Sequence, residues 1–147
     1  MTHPLFTKWL CGNAEAVDFI LRIHRIVELW DDLLDKDKPV SDAEINGAFI
    51  SALVALPRNQ FYMRNFAVLS PILESAIDSW HVSNALEKLG GKDPLTTAFI
   101  LRCSFFALTI AAAKIIGGPK WAQTVGTEIY QAGDDNFDSY CAEHGGT

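Results

Sequence analysis

The amino-acid pattern predicts an all-α protein, folded as a single compact bundle of about five or six helices. Hydrophobic residues make up 49% of the 147 residues, which is enough to form a buried core. Apolar residues recur at spacings of three and four along several segments, as they do on one face of a helix. Essentially no stretch alternates in the manner of a half-buried strand. We therefore expect one helical domain over residues 1–147.

The first long helix follows a short lead, residues 1–13, and is predicted from Ala14 to about Asp37. Asn13 is a suitable N-cap because its side chain can accept a hydrogen bond from a free amide at the start of the helix. Pro39 disfavours helical geometry at the residue before it and so ends the helix. The apolar face of this helix carries Phe19, Ile20, Ile23, Ile26, Val27, Trp30, Leu33 and Leu34.

A second helix is predicted to begin after Ser41 and to stop before Pro57. Ser41 is followed three residues later by Glu44, which is the spacing of a capping box. Its apolar residues are Ile45, Phe49, Ile50, Leu53, Val54 and Leu56. A turn at residues 57–60 and a short helix rich in aromatic residues, at 61–69, are expected to follow.

A third long helix is predicted from Ser70-Pro71 to about Leu89. Serine followed by proline is a typical helix start, because proline tolerates the first helical position and serine caps the free amides. Gly90-Gly91 ends the helix.

The most apolar segment, near residues 95–116, is predicted to be a buried helix and not a membrane span. Arg102 and Lys114 interrupt it, and charged residues are costly inside a lone span. A break at residues 117–119 and a last short helix at 120–131 follow, and then an acidic tail.

Charge and cysteine content exclude several classes of protein. A net charge of −6 argues against nucleic-acid binding, which needs a basic surface. Cys11, Cys103 and Cys141 are odd in number and lack metal-knuckle spacing, so a reducing compartment is expected. The first residues lack the basic-then-apolar order of a signal peptide. We therefore expect a cytoplasmic protein without a membrane or nucleic-acid partner.

Polar side chains follow the edge of the apolar face on two helices and suggest a metal site. His24, Glu28 and Asp31 are spaced by four and three; Glu74, Asp78 and His81 repeat that spacing with the residue types reversed. In an antiparallel pair these residues would face each other, and a divalent cation would neutralise the opposed carboxylates. Oxygen ligands suit magnesium or manganese. The predicted metal ligands are Glu28, Asp31, Asp32, Asp35, Glu74 and Asp78, with His24 and His81 as catalytic residues, either ligand or general base.

Two local resemblances suggest a reaction for such a site. Asp31-Asp32-Leu33-Leu34-Asp35 resembles the DDxxD motif of all-helical isoprenoid synthases, in which aspartates hold metal ions that bridge to a diphosphate. Glu28-x-x-Asp31 and Glu74-x-x-x-Asp78 are similar to the paired acidic motifs of all-α nucleotide pyrophosphohydrolases. These resemblances imply a metal-dependent phosphohydrolase acting on a nucleotide or another diphosphate. The arginines predicted to bind its phosphate are Arg58, Arg64 and Arg102.

A longer resemblance implies no activity. The segment from Trp30 to Ser41, together with residues 55–59 and 61–62, resembles small uncharacterised proteins of tailed bacteriophages and prophages. It implies a phage product made in a bacterial cytoplasm. The alternative hypothesis is therefore a non-catalytic protein that binds another protein or itself through an apolar surface. Its acidic residues would be solvated or paired with nearby cations, namely Arg22, Arg25, Lys36 and Lys38.

Overall fold

The computed structural model describes residues 3–36, 38–133 and 136–144, and over these ranges the protein is all-α, as predicted. The helices are α1 (His3–Trp9), α2 (Ala14–Asp35), α3 (Asp42–Ile50), α4 (Leu56–Arg58), α5 (Gln60–Arg64), α6 (Phe66–Leu89), α7 (Lys92–Arg102), α8 (Phe106–Gln131) and α9 (Phe137–Glu143). A π-helical turn, Ser51–Ala55, joins α3 to α4, and a 3-10 turn, Cys103–Phe105, joins α7 to α8.

The chain divides into two compact units, with the boundary in the sequence between Phe66 and Ala67. The first unit holds α1 to α5, and the second holds almost all of α6 together with α7 to α9. That the two units make one domain stays a prediction.

In the first unit, α1 and α5 both pack on α2. Phe19 of α2 is fully buried, and its ring stacks on Tyr62 of α5 with the centroids 4.6 Å apart. The predicted apolar face of α2 is buried only in its first half, at Phe19, Ile20 and Ile23. Trp30 and the leucines that follow it are exposed. The periodicity therefore locates the apolar face correctly, but the packing of the neighbouring helices decides how much of it is buried.

The predicted starts of α2 and α3 are confirmed. The Asn13 side chain accepts a hydrogen bond from the Ala16 amide at 3.0 Å. Ser41 Oγ accepts from the Glu44 amide at 3.3 Å, and Glu44 Oε2 accepts from the Ser41 amide at 2.8 Å, which completes the capping box. Helix α2 ends at Asp35, because the next residue, Lys36, adopts a left-handed conformation (φ 58°). The predicted end at Asp37 lies outside the described residues.

The second predicted helix changes its winding before it reaches Pro57. In the π turn, the Leu56 amide donates to the carbonyl of Ser51, five residues earlier. Proline has no N–H to donate, and its ring crowds the carbonyl four residues before it, here that of Leu53. The wider i→i+5 pattern of a π turn accommodates this crowding.

The predicted boundary of the third long helix at Ser70-Pro71 is wrong. Helix α6 begins at Phe66, so that Pro71 lies inside its second turn, and the aromatic segment forms the shorter α5. The start signal at Ser70-Pro71 is overridden, because proline near the start of a helix removes a single hydrogen bond and the helix can extend past it. The predicted end at Leu89 is confirmed.

The apolar segment near residues 95–116 forms two helices, since the 3-10 turn separates α7 from α8. One side of the segment is buried, including Leu95, Leu108 and Ala112, whereas Ile100 is 64% exposed. The segment therefore has a buried face and an open face.

Length and composition alone would allow one described stretch, Lys92–Gln131, to cross a membrane, with a mean hydropathy of 1.9 in its most apolar window. This stretch is not a continuous helix. The 3-10 turn interrupts it, and so does Gly118, whose backbone (φ 84°, ψ 179°) is not helical. The part from Phe106 to Gly117 is about 18 Å long, against about 30 Å for the hydrocarbon core of a bilayer. The absence of a membrane partner stays a prediction.

Candidate functional site

No residue of α3 or of the π turn is buried, although this segment is rich in large apolar side chains. Phe49 is 62% exposed, Ile50 60%, Leu53 72% and Val54 41%. We call these four residues the α3 face. A helix in a folded protein normally covers its large apolar side chains, so an uncovered group of this kind marks a candidate interaction surface.

The local sequence explains why the large side chains stay on the solvent side. Small residues of this segment, Gly47, Ala48 and Ser51, line a cleft against α2. Arg22 of α2 donates a hydrogen bond from Nη1 to Ser51 Oγ at 3.2 Å, which anchors the small side to α2. No charged residue occurs from Ile45 to Leu56, so the exposed side of the segment carries no formal charge.

The cleft between α2 and α3 has a volume of about 540 Å³ and contains two of the predicted metal ligands, Glu28 and Asp32. Asp32 is already paired, because Lys38 Nζ lies 2.9 Å from its Oδ2. Lys38 is one of the nearby cations that could pair with the acidic residues under the non-catalytic alternative. A third carboxylate in the cleft, Glu44, is occupied by the capping box, and its hydrogen bonds from the Ser41 hydroxyl and amide lower its pKa.

The predicted metal ligands and catalytic histidines lie on two helices that belong to different units. Helix α2 carries His24, Glu28, Asp31, Asp32 and Asp35, and helix α6 carries Glu74, Asp78 and His81. Within the part of the chain that the structure describes, no group of three or more His, Cys, Asp or Glu side chains is placed to hold a metal ion. The magnesium or manganese site therefore stays a prediction without structural support.

His24, one of the two predicted catalytic histidines, packs inside the first unit. Its ring lies 5.3 Å from the ring of Phe6, and burial lowers its pKa from 6.5 to about 4. This half-buried imidazole, with its lowered pKa, is neutral at pH 7 and packs against Phe6. His81, by contrast, is exposed on α6, beside the ring of Trp80.

The lowered pKa of His24 predicts a pH-dependent stability. The unfolded chain binds a proton near pH 6.5 and the folded chain only near pH 4, so stability is lost as the pH falls between these values. We expect the free energy of unfolding to fall by up to about 2 kcal/mol between pH 7.5 and pH 5 from this group. Urea unfolding at several pH values measures the loss, and His24→Leu is expected to remove it. Identical pH profiles for the two proteins would count against this assignment.

The three arginines predicted to bind phosphate have different surroundings. Arg58 and Arg64 are exposed. The guanidinium of Arg102 donates from Nη1 to Glu87 Oε1 at 2.9 Å and lies 5.5 Å from the centre of the Tyr140 ring. The charge of Arg102 is thus already paired with a carboxylate inside the protein. The role of these arginines in substrate binding stays a prediction.

Asn59 is an important polar residue for which the sequence predicts only a position in a turn. It is 3% exposed, and its side chain accepts from the Tyr62 amide at 2.8 Å to cap α5. Its amide group donates to the Glu15 carbonyl at 2.9 Å and to Asp18 Oδ2 at 3.2 Å. Asparagine before a helix is a local N-cap signal and could have been found, whereas its bonds to α2 depend on the fold.

Comparison of the chain with protein-family models, with curated proteins and with solved structures finds no match. The resemblances to phage proteins, isoprenoid synthases and nucleotide pyrophosphohydrolases therefore stay predictions.

Proposed function

We propose that this chain acts as a non-catalytic protein that self-associates through the α3 face. The observation that carries the proposal is the exposure of Phe49, Ile50 and Leu53 on a segment that buries no residue. Water around such side chains is released when a second surface covers them, and this release favours association.

A second copy of the chain is the partner that this face suits best. In an isologous interface the same surface patch is present on both subunits, so each must be complementary to itself. A charged patch would repel its own copy, and the whole chain carries a net charge of −6. The stretch from Ile45 to Leu56 has no charge and escapes this repulsion.

The size of the face is sufficient for association of moderate strength. Each large apolar side chain that passes from partial exposure to burial contributes on the order of 1–2 kcal/mol. The four side chains of both copies together contribute roughly 8–16 kcal/mol, which exceeds the lower part of the range of about 4–15 kcal/mol that association costs. A reversible dimer is therefore expected.

Self-association through an apolar surface is the non-catalytic alternative that the sequence already suggests. The phosphohydrolase hypothesis needs a cation between carboxylates, and the described residues supply no such group. Association through the α3 face requires neither an ion nor a substrate.

Retention of an untagged copy by a tagged copy tests the proposal. Both are produced in the same cells, and the untagged chain is expected to remain on the affinity resin with the tagged one. Untagged Ile50→Glu is expected to be lost in the wash. Untagged Ile100→Glu, changed at a residue of similar exposure (64%) on α7, is expected to be retained. Loss of the unmodified untagged chain, or retention of Ile50→Glu, would contradict the proposal.

A further inference from the structure

Helix α9 is attached to the second unit by polar contacts that converge on one atom, Oε1 of Glu87. Tyr140 Oη donates to it at 2.6 Å, Arg102 Nη1 donates to it at 2.9 Å, and His144 Nε2 lies 3.6 Å away. Tyr140 and His144 belong to the region of α9, Arg102 to α7 and Glu87 to α6. One carboxylate oxygen therefore links three elements of the unit.

The apolar contacts of α9 fall on α7. Tyr140 is buried together with Leu95 and Ala98. The ring of Phe99 lies 5.2 Å from Tyr140 and 5.2 Å from Phe137, which begins α9. Helix α9 thus packs on an apolar strip of α7, formed by Leu95, Ala98 and Phe99.

The length of α9 means that docking and folding are coupled. It has seven residues, whereas isolated helices shorter than about 12–15 residues are marginal in water. Once detached, α9 would lose its helical structure as well as its contacts, so release is an all-or-none local unfolding.

We propose that α9 is a releasable strap over the apolar strip of α7, held closed by the carboxylate of Glu87. In the closed state Tyr140 is a secure donor, since burial and its hydrogen bond to Glu87 raise the pKa of its hydroxyl well above the usual range. The negative charge of Glu87 is balanced by Arg102 on one side, and the Tyr140 hydroxyl and His144 complete its contacts on the other. The strap is separate from the α3 face, and its release would remove Tyr140 from the buried cluster that it forms with Leu95 and Ala98.

Hydrogen exchange of the full chain tests the strap. Tyr140→Phe keeps the ring and removes the hydroxyl that donates to Glu87, and Glu87→Gln removes the charge. The loss of a hydrogen bond to a charged group lowers the free energy needed to open α9. Each variant is therefore expected to speed exchange of the α9 amides by about tenfold or more. Amides in the first unit, such as those of α2, are expected to be unchanged. Glu143→Gln is the matched control, because Glu143 is an exposed acid on the same helix and has no contact with Glu87 in the structure.

Three outcomes would overturn the strap. One is unchanged exchange of α9 in both variants. Another is a uniform increase throughout α6, α7 and α8, which would show that the whole unit opens and not α9 alone. The third is an equal increase in Glu143→Gln, which would show that the charge of the helix, and not its bond to Glu87, controls docking.

Discussion

Leu53→Glu is expected to weaken self-association by roughly a hundredfold or more. Leu53 is 72% exposed in the single chain, and the proposed interface would bury it against a second copy. Burying a carboxylate without a partner costs several kcal/mol, and a two-fold interface would also bring two such carboxylates towards each other. Each 1.4 kcal/mol changes the dissociation constant about tenfold. Sedimentation velocity over a dilution series measures the change.

Leu89→Glu is the matched control for this experiment. Leu89 is 75% exposed at the end of α6, so the substitution places the same charge at a residue of similar exposure outside the α3 face. We expect its dissociation constant to stay close to that of the unmodified chain. An equal loss of association in both variants would indicate a general charge effect and would refute the assignment of the interface to the α3 face.

Phe19→Ala is expected to lower the free energy of unfolding by about 3–5 kcal/mol. Phe19 is fully buried, and its ring stacks on Tyr62 at 4.6 Å and lies 6.4 Å from the ring of Phe61. Truncation removes the contacts that join α2 to α5 and leaves a cavity that rigid neighbours fill only partly. Urea unfolding at low protein concentration measures the loss.

Phe49→Ala provides the comparison, with the same substitution on the α3 face. Because Phe49 is 62% exposed, the free energy of unfolding of the dissociated chain is expected to change by less than about 0.5 kcal/mol. The same variant is expected to weaken self-association. If Phe49→Ala destabilised the dissociated chain as much as Phe19→Ala, Phe49 would be a core residue and the α3 face would not be an open surface.

Features set by neighbours in the sequence could be predicted. The N-cap at Asn13 and the capping box of Ser41 and Glu44 depend on residues within one helical turn, so the helix starts follow from the local pattern. The π turn and the early start of α6 could not be predicted, because each depends on how the backbone adapts around a proline, Pro57 or Pro71.

The candidate site could be predicted only in part. The sequence identifies Phe49, Ile50 and Leu53 as apolar residues of the second helix, but a hydrophobic pattern is the same for a buried core and for an interface with another chain. The bond between Glu87 and Tyr140 joins residues 53 positions apart, and no local signal indicates it. The prediction that the polar residues of α2 and α6 face each other rests on their spacing alone. Spacing does not determine which helices pack against each other.

Sedimentation equilibrium of the unmodified chain tests whether a second copy covers the α3 face. Self-association predicts a mass of twice 16.2 kDa at high concentration, falling towards 16.2 kDa on dilution. A mass of 16.2 kDa at every concentration would contradict it.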